Sequence, residues 1–166
     1  VDNAAGVAMM LASMQAIADA PGKLDDLECL PFNGEEYCGV PGELAYLEHL
    51  KDRSAQVRLL VNIDGALYKD APIGLSWYNL SPPGEAIIRD FTASQKEFSI
   101  GEPWYAGDHS IWAFQGIPCI AAYAADSEGV LSVSHTEHDT IECIDLQRID
   151  TAGAALADLL VRLSEV

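Results

Sequence analysis

The chain has 166 residues, of which 49% belong to the hydrophobic set and 21% are charged, so it is long and apolar enough to fold around a real core. Nine Lys and Arg stand against 26 Asp and Glu, a net charge of −17. That balance argues against nucleic acid as a partner and against docking on anionic membranes, and no apolar run approaches the ~20 residues that span a bilayer. Residues 4–20 are rich in Ala, Leu and Met on nearly every face and predict a buried helix, ended by Pro21-Gly22. Residues 27–32 form a short apolar run stopped by Asn33-Gly34, the pattern of a strand and turn. Residues 42–51 show helical spacing through Leu44, Leu47 and Leu50. Residues 57–63 predict a buried strand ended by Asp64-Gly65, and residues 75–79 another. Pro82-Pro83 opens a helix over 84–95 with Ile87, Ile88 and Phe91 on one face. Further along, residues 98–100 predict a weak strand and residues 110–115 a short helix. Residues 117–124 then predict a strong strand, and 146–163 a long final helix.

This alternation predicts an α/β fold: a three-layer domain with a mostly parallel or mixed central sheet flanked by helices. No internal repeat, low-complexity stretch or linker divides residues 1–166, so one domain is expected. The four cysteines, Cys29, Cys38, Cys119 and Cys143, contain no Cys-x-x-Cys pair. They read as ordinary packed thiols, which leans towards a reducing, cytoplasmic setting without excluding secretion. The chain opens Val-Asp-Asn with no Met, basic segment or apolar leader, and reads as a piece whose upstream part is missing.

In a parallel sheet, ligands gather at the carboxyl ends of the strands. The polar residues expected there are Glu35 and Glu36 after 27–32, Asp64 after 57–63, and His135 after the apolar run 130–133, with Asp2 just before the first helix. Each has a plain structural alternative. With 26 acids among 166 residues an adjacent pair such as Glu35-Glu36 or the solvated Asp25-Asp26 is expected by chance. Asp2 has the sequence position of a helix N-cap, and Asp64 before Gly65 that of a turn residue. Their joint placement favours a site instead. Carboxylates plus an imidazole suit zinc, manganese or cobalt, and a spare glutamate suits a general base beside an activated water.

Five blocks occur in order: Asp2-Asn3-Ala4-Ala5-Gly6; Phe32-Asn33-Gly34-Glu35-Glu36-Tyr37-Cys38-Gly39; Asn62-Ile63-Asp64; Gly107-Asp108-His109 with Gly116-Ile117-Pro118; and Ser134-His135-Thr136-Glu137-His138-Asp139-Thr140. Together they resemble the successive blocks of the co-catalytic zinc aminopeptidases, the M28 metallopeptidase family, over about residues 2–150. The resemblance implies that Asp2 bridges two zinc ions, that Glu36 and His135 complete the ligands of one, that Asp64 is a ligand of the other, and that Glu35 is the general base. It also implies a cis peptide bond after Asp2. The implied reaction is hydrolysis of the N-terminal residue from peptides with a free N-terminus. The family's remaining ligand, a His in a His-x-Asp block before the bridging aspartate, has no counterpart among His49, His109, His135 and His138. One zinc or none is therefore expected on this chain, against two for a complete site.

Other residues carry weaker expectations. Tyr105 lies in a region that lines the substrate site in related enzymes, where a phenol would stabilise the tetrahedral intermediate or simply pack. Asp139 either orients His135 or caps a turn. Asp108-His109 reads as structural support, His138 as an exposed loop residue and Cys38 as a small packed side chain. Two further functions stay open: a glutaminyl cyclase-like acyltransferase on the same fold, and a degenerate peptidase-like binding domain. Uncovered apolar strand edge predicts a homo-dimer.

Overall fold

The computed structural model describes residues 1–19, 24, 26–36 and 40–166, apart from the side chains of 52, 54 and 55. Four strands, β1 (Leu60–Ile63), β2 (Ile73–Tyr78), β3 (Phe98–Ile100) and β4 (Cys119–Ala124), form one sheet in the order β1-β4-β2-β3. β1 runs parallel to β4 and β2 parallel to β3, while β2 and β4 are antiparallel. The sheet is thus mixed, as an α/β chain with short crossovers allows. Ile63 pairs with Ala122, and the Asp64 N–H carries the ladder one residue further by donating to the Ala122 carbonyl at 2.9 Å. Asp64 is thereby fixed at the carboxyl end of β1.

Helices α1 (Ala4–Asp19), α3 (Pro82–Ser94) and α6 (Gln147–Leu163) cover one face of the sheet. Ala5, Met9, Ile88, Phe91, Leu156 and Leu159 meet Ile73, Leu75, Ile120 and Ala122 there, all buried. Each large aliphatic side chain removed from water stabilises the fold by ~1.5–3 kcal/mol. α1 buries Ala5, Gly6, Met9, Ser13 and Ile17, a stripe close to i, i+4 spacing. It lies close on α6 because Gly153 has no side chain; a Cβ there would stand 2.6 Å from Ala12 Cβ. α3 starts where expected: Pro82 occupies the first turn and the Ser81 hydroxyl accepts from the Gly84 N–H at 3.3 Å. On the opposite face α2 (Pro41–Leu50) and α4 (Ser110–Ala113) bring Leu50 and Trp112 onto Ile117 and Cys119. The short α5 (Ser127–Leu131) follows β4.

Several expectations change. The first helix is not buried all round: Leu11 is 58% exposed, because only one stripe faces α6 and the sheet. The expected stop at Pro21-Gly22 lies outside the described residues, as do Asp25 and Cys38. Residues 27–32 form no strand; Leu27 and Cys29 are half-buried while Glu28 and Leu30 are exposed, so the alternation is present without a ladder partner. The strand expected over 57–63 begins only at Leu60. Val130 and Leu131 belong to α5, not to a strand, because the Asp126 carboxylate after β4 caps a helix by accepting from the Gly129 N–H at 3.0 Å. Beyond β1 the sheet has no further strand among the described residues. A cleft of about 1350 Å³ lies there, lined by β1, residues 27–32 and the Met10–Met14 side of α1.

Candidate metal centre

Asp2 enters the site from the residue that precedes the N-cap of α1, not as the cap. The cap is Asn3, whose Oδ1 accepts from the Gly6 N–H at 3.1 Å. The Asp2–Asn3 peptide bond is cis, as the family resemblance implies. Asp139 holds this stretch from the other end of the chain: its Oδ2 accepts from the Asp2 N–H at 2.9 Å, and its Oδ1 meets the Val1 ammonium. Burial alone would raise the Asp139 carboxyl, but those two donors hold it below the ordinary carboxylate value.

Glu35 and Glu36 occupy a turn after Gly34, whose φ of 92° lies in the region that favours glycine. α2 packs close behind that loop because Gly42 has no Cβ; one would stand 2.9 Å from the Asn33 carbonyl oxygen. His135 sits in the turn after α5 with φ 61°, an uncommon conformation for a side-chain-bearing residue, costing ~1–2 kcal/mol. This backbone presents the ring to two carboxylates. His135 Nε2 lies 2.6 Å from Glu36 Oε1 and 3.0 Å from Asp2 Oδ2. Hydrogen bonding to Glu36, then the charges of Glu36 and Asp2, raises the imidazole above its ordinary value.

Asp2, Glu36 and His135 offer ligand atoms that all lie within 4.8 Å of one another, the one such group among the described residues. Asp64 and Glu35 border it. Burial, then the charges of Asp2, Glu35, Asp108 and Glu36, pushes the Asp64 carboxyl up to about 7. Burial followed by Glu36, Asp108 and Asp2 raises Glu35 as well. Behind them Glu43, only 3% exposed in the first turn of α2, is pushed up to about 8 by burial and by the neighbouring Asp108 carboxylate. Glu43 Oε1 and Asp108 Oδ1 are buried with no hydrogen-bond partner among the described residues.

A divalent ion fits this donor set. One imidazole with two carboxylates supplies three N and O donors of the kinds zinc takes and leaves a fourth position open, and a cation would relieve the crowding felt by Asp64 and Glu35. Asp2, Glu36 and His135 would hold one ion, close enough to Asp64 for the Asp2 charge to act on it.

Asp139 reaches the Asp2 backbone rather than the His135 ring. Tyr105 is 67% exposed and packs edge-on against Tyr78, lining a pocket of about 180 Å³ in which none of these carboxylates takes part. His109 is fully buried; its Nε2 meets the Trp104 carbonyl oxygen at 2.8 Å and its Nδ1 the Asn62 amide at 3.4 Å, so both ring nitrogens are engaged. His138 is exposed. The sequence reading misses two residues. Asn3 carries a legible signal, an Asn directly before an Ala-rich helix. Glu43 carries none, since an acid in a first helical turn ordinarily faces solvent.

The model of Peptidase family M28 matches residues 1–160. No curated protein matches. Among solved structures, the Peptidase M28 precursor from Shewanella amazonensis superposes with a TM-score of 0.73 at 20% identity, covering 98% of this chain and 37% of that one. Two structures of LapA from Legionella pneumophila, one described as an aminopeptidase, superpose with TM-scores of 0.71 and 0.73 at 13% and 14% identity. They cover 99% of this chain and 48% and 47% of theirs, so the chain spans less than half the length of the structures it resembles. The matched span runs through all five sequence blocks and the whole acidic rim, and the chain belongs to peptidase family M28.

Proposed function

We propose that this chain carries the catalytic centre of a zinc-dependent aminopeptidase. The observation that carries the reading is the convergence of Asp2, Glu36 and His135, from three distant parts of the sequence, on one point beside the spare carboxylates Glu35 and Asp64. Zinc on such a donor set supplies Lewis acidity, acidifying water and polarising a carbonyl. Glu35 is the general base. Its raised affinity for a proton lets it take one from the attacking water as the carbon–oxygen bond forms, then deliver it to the leaving amine as the carbon–nitrogen bond breaks. The negative rim of Asp2, Glu36 and Asp64 attracts the free α-ammonium of a peptide and so selects N-termini. The partner is a peptide with a free N-terminus. The outer edge of β1, unpaired among the described residues, supports pairing with a second copy, which light scattering would read as a dimer.

The test is hydrolysis of Leu-p-nitroanilide beside its N-acetylated form and beside a peptide with N-terminal Gln. Release of p-nitroaniline from the free amine alone supports the aminopeptidase. Cyclisation of the Gln peptide without p-nitroaniline release supports a glutaminyl cyclase-like acyltransferase, a reading favoured by there being one complete donor set among the described residues. Neither reaction from a metal-loaded sample would leave a binding domain.

A further inference from the structure

Asn3 does more than cap α1. Its Nδ2 donates to the Ile63 carbonyl at 2.8 Å, while its Oδ1 accepts from Gly6 N–H at 3.1 Å and from Gly65 N–H at 3.4 Å. Ile63 and Gly65 are the two chain neighbours of Asp64. One amide side chain, on the residue directly after Asp2, therefore grips the backbone on both sides of Asp64. Gly6 leaves the room for this: a Cβ there would stand 2.1 Å from Asn3 Oδ1 and 2.5 Å from the Ile63 carbonyl oxygen. The chemistry calls for Asn. The grip needs a donor and an acceptor on one short planar group; Asp has no donor and Ser has neither the reach nor the second arm.

We infer that Asn3 is a positioning residue that locks Asp2 in register with the end of β1, holding the Asp2 carboxylate against the Glu36–His135 pair. The inference rests on the metal-centre reading above. Asp2 belongs to no helix or strand, and the other hold on its backbone is the Asp139 carboxylate, which accepts from the Asp2 N–H. Ligand carboxylates must be held to within ~0.5 Å to bind an ion well, so the grip on β1 should appear in metal affinity.

The discriminating variant is Asn3→Ser, because Ser retains an N-cap acceptor for Gly6 N–H but cannot reach Ile63. Metal-free wild type, Asn3→Ser and Asn3→Ala are titrated with zinc chloride by calorimetry, and each is melted without metal. Asn3→Ser is expected to keep a cooperative melt close to that of wild type yet bind zinc about tenfold or more weakly. Asn3→Ala is expected to lose affinity to the same extent and to melt lower, having lost the cap as well. Zinc affinity in Asn3→Ser within about twofold of wild type would overturn the inference and leave the metal centre standing. So would loss of the cooperative melt in Asn3→Ser, which would make Asn3 a folding residue. A wild type that takes up no zinc would instead overturn the metal centre, and this inference with it.

Discussion

The face where α1, α3 and α6 cover the sheet and the rim that carries Asp2, Glu35, Glu36, Asp64 and Asp108 follow opposite rules. On the face each side chain has a partner that explains it: Met9, Leu156 and Ile120 fill one another's space, and Gly153 admits Ala12. On the rim the neighbours oppose one another. Asp64 and Glu35 are raised by burial and by the charges around them, and buried oxygens of Glu43 and Asp108 lack hydrogen bonds among the described residues. Buried, unpartnered carboxylates cost free energy, so their assembly is not explained by packing. The proposed cation, held by Asp2, Glu36 and His135, would reconcile them.

Substitutions should therefore separate cleanly between the two regions. The largest effect is expected from Glu35→Gln, which should lower peptidase turnover by ~10²–10⁴-fold while leaving the melting temperature of the metal-free protein unchanged or higher. An equal loss of stability would place Glu35 with the packed face. Leu156→Ala, in the face, should cost ~2–5 kcal/mol in urea unfolding and leave turnover per folded molecule intact. Gly153→Ala should cost less, ~1–3 kcal/mol, because the clash with Ala12 forces α1 and α6 apart; a neutral result would mean that the two helices can part without loss.

The smallest effect concerns pH. In the folded, metal-free protein burial and neighbouring carboxylates push Glu43 up to about 8 and Asp64 up to about 7, against ordinary values of 4.5 and 3.8. Between the ordinary and the raised values the unfolded chain has lost protons that the folded chain keeps. The stability these groups contribute is then complete below the ordinary values and is lost as pH rises through 7 and 8. Glu43→Gln, neutral throughout, should flatten the upper part of that decline and be the more stable protein at pH 8. Thermal melts from pH 5 to 9 check this, and parallel curves for the two proteins would break the comparison at Glu43.

The two regions also differ in how legible they were. The packed face follows from periodicity and punctuation: α3 begins at Ser81-Pro82, and β4 and α6 lie close to the apolar runs that predict them. Residues 27–32 show why a strand is harder, since alternation is local but a ladder needs a neighbour in space. The short run 130–133 is ambiguous by itself, and the Asp126 cap decides it as helix. Consequently the strand-end argument holds for Asp64 but not for Glu35, Glu36 or His135, which reach the rim on turns. Those residues are recognisable from the order of the motif blocks. Glu43 is not, because its burial depends on α2 packing against a loop remote in character from any periodic signal.

Metal content after exhaustive dialysis tests the central claim most directly, measured on wild type and on His135→Ala prepared in parallel with zinc. His135 is exposed and should tolerate truncation without unfolding the chain, so the comparison isolates the donor set. Wild type is expected to retain about one zinc ion per chain and His135→Ala essentially none. Equal zinc in both proteins, or none in either, would contradict a metal centre built on Asp2, Glu36 and His135.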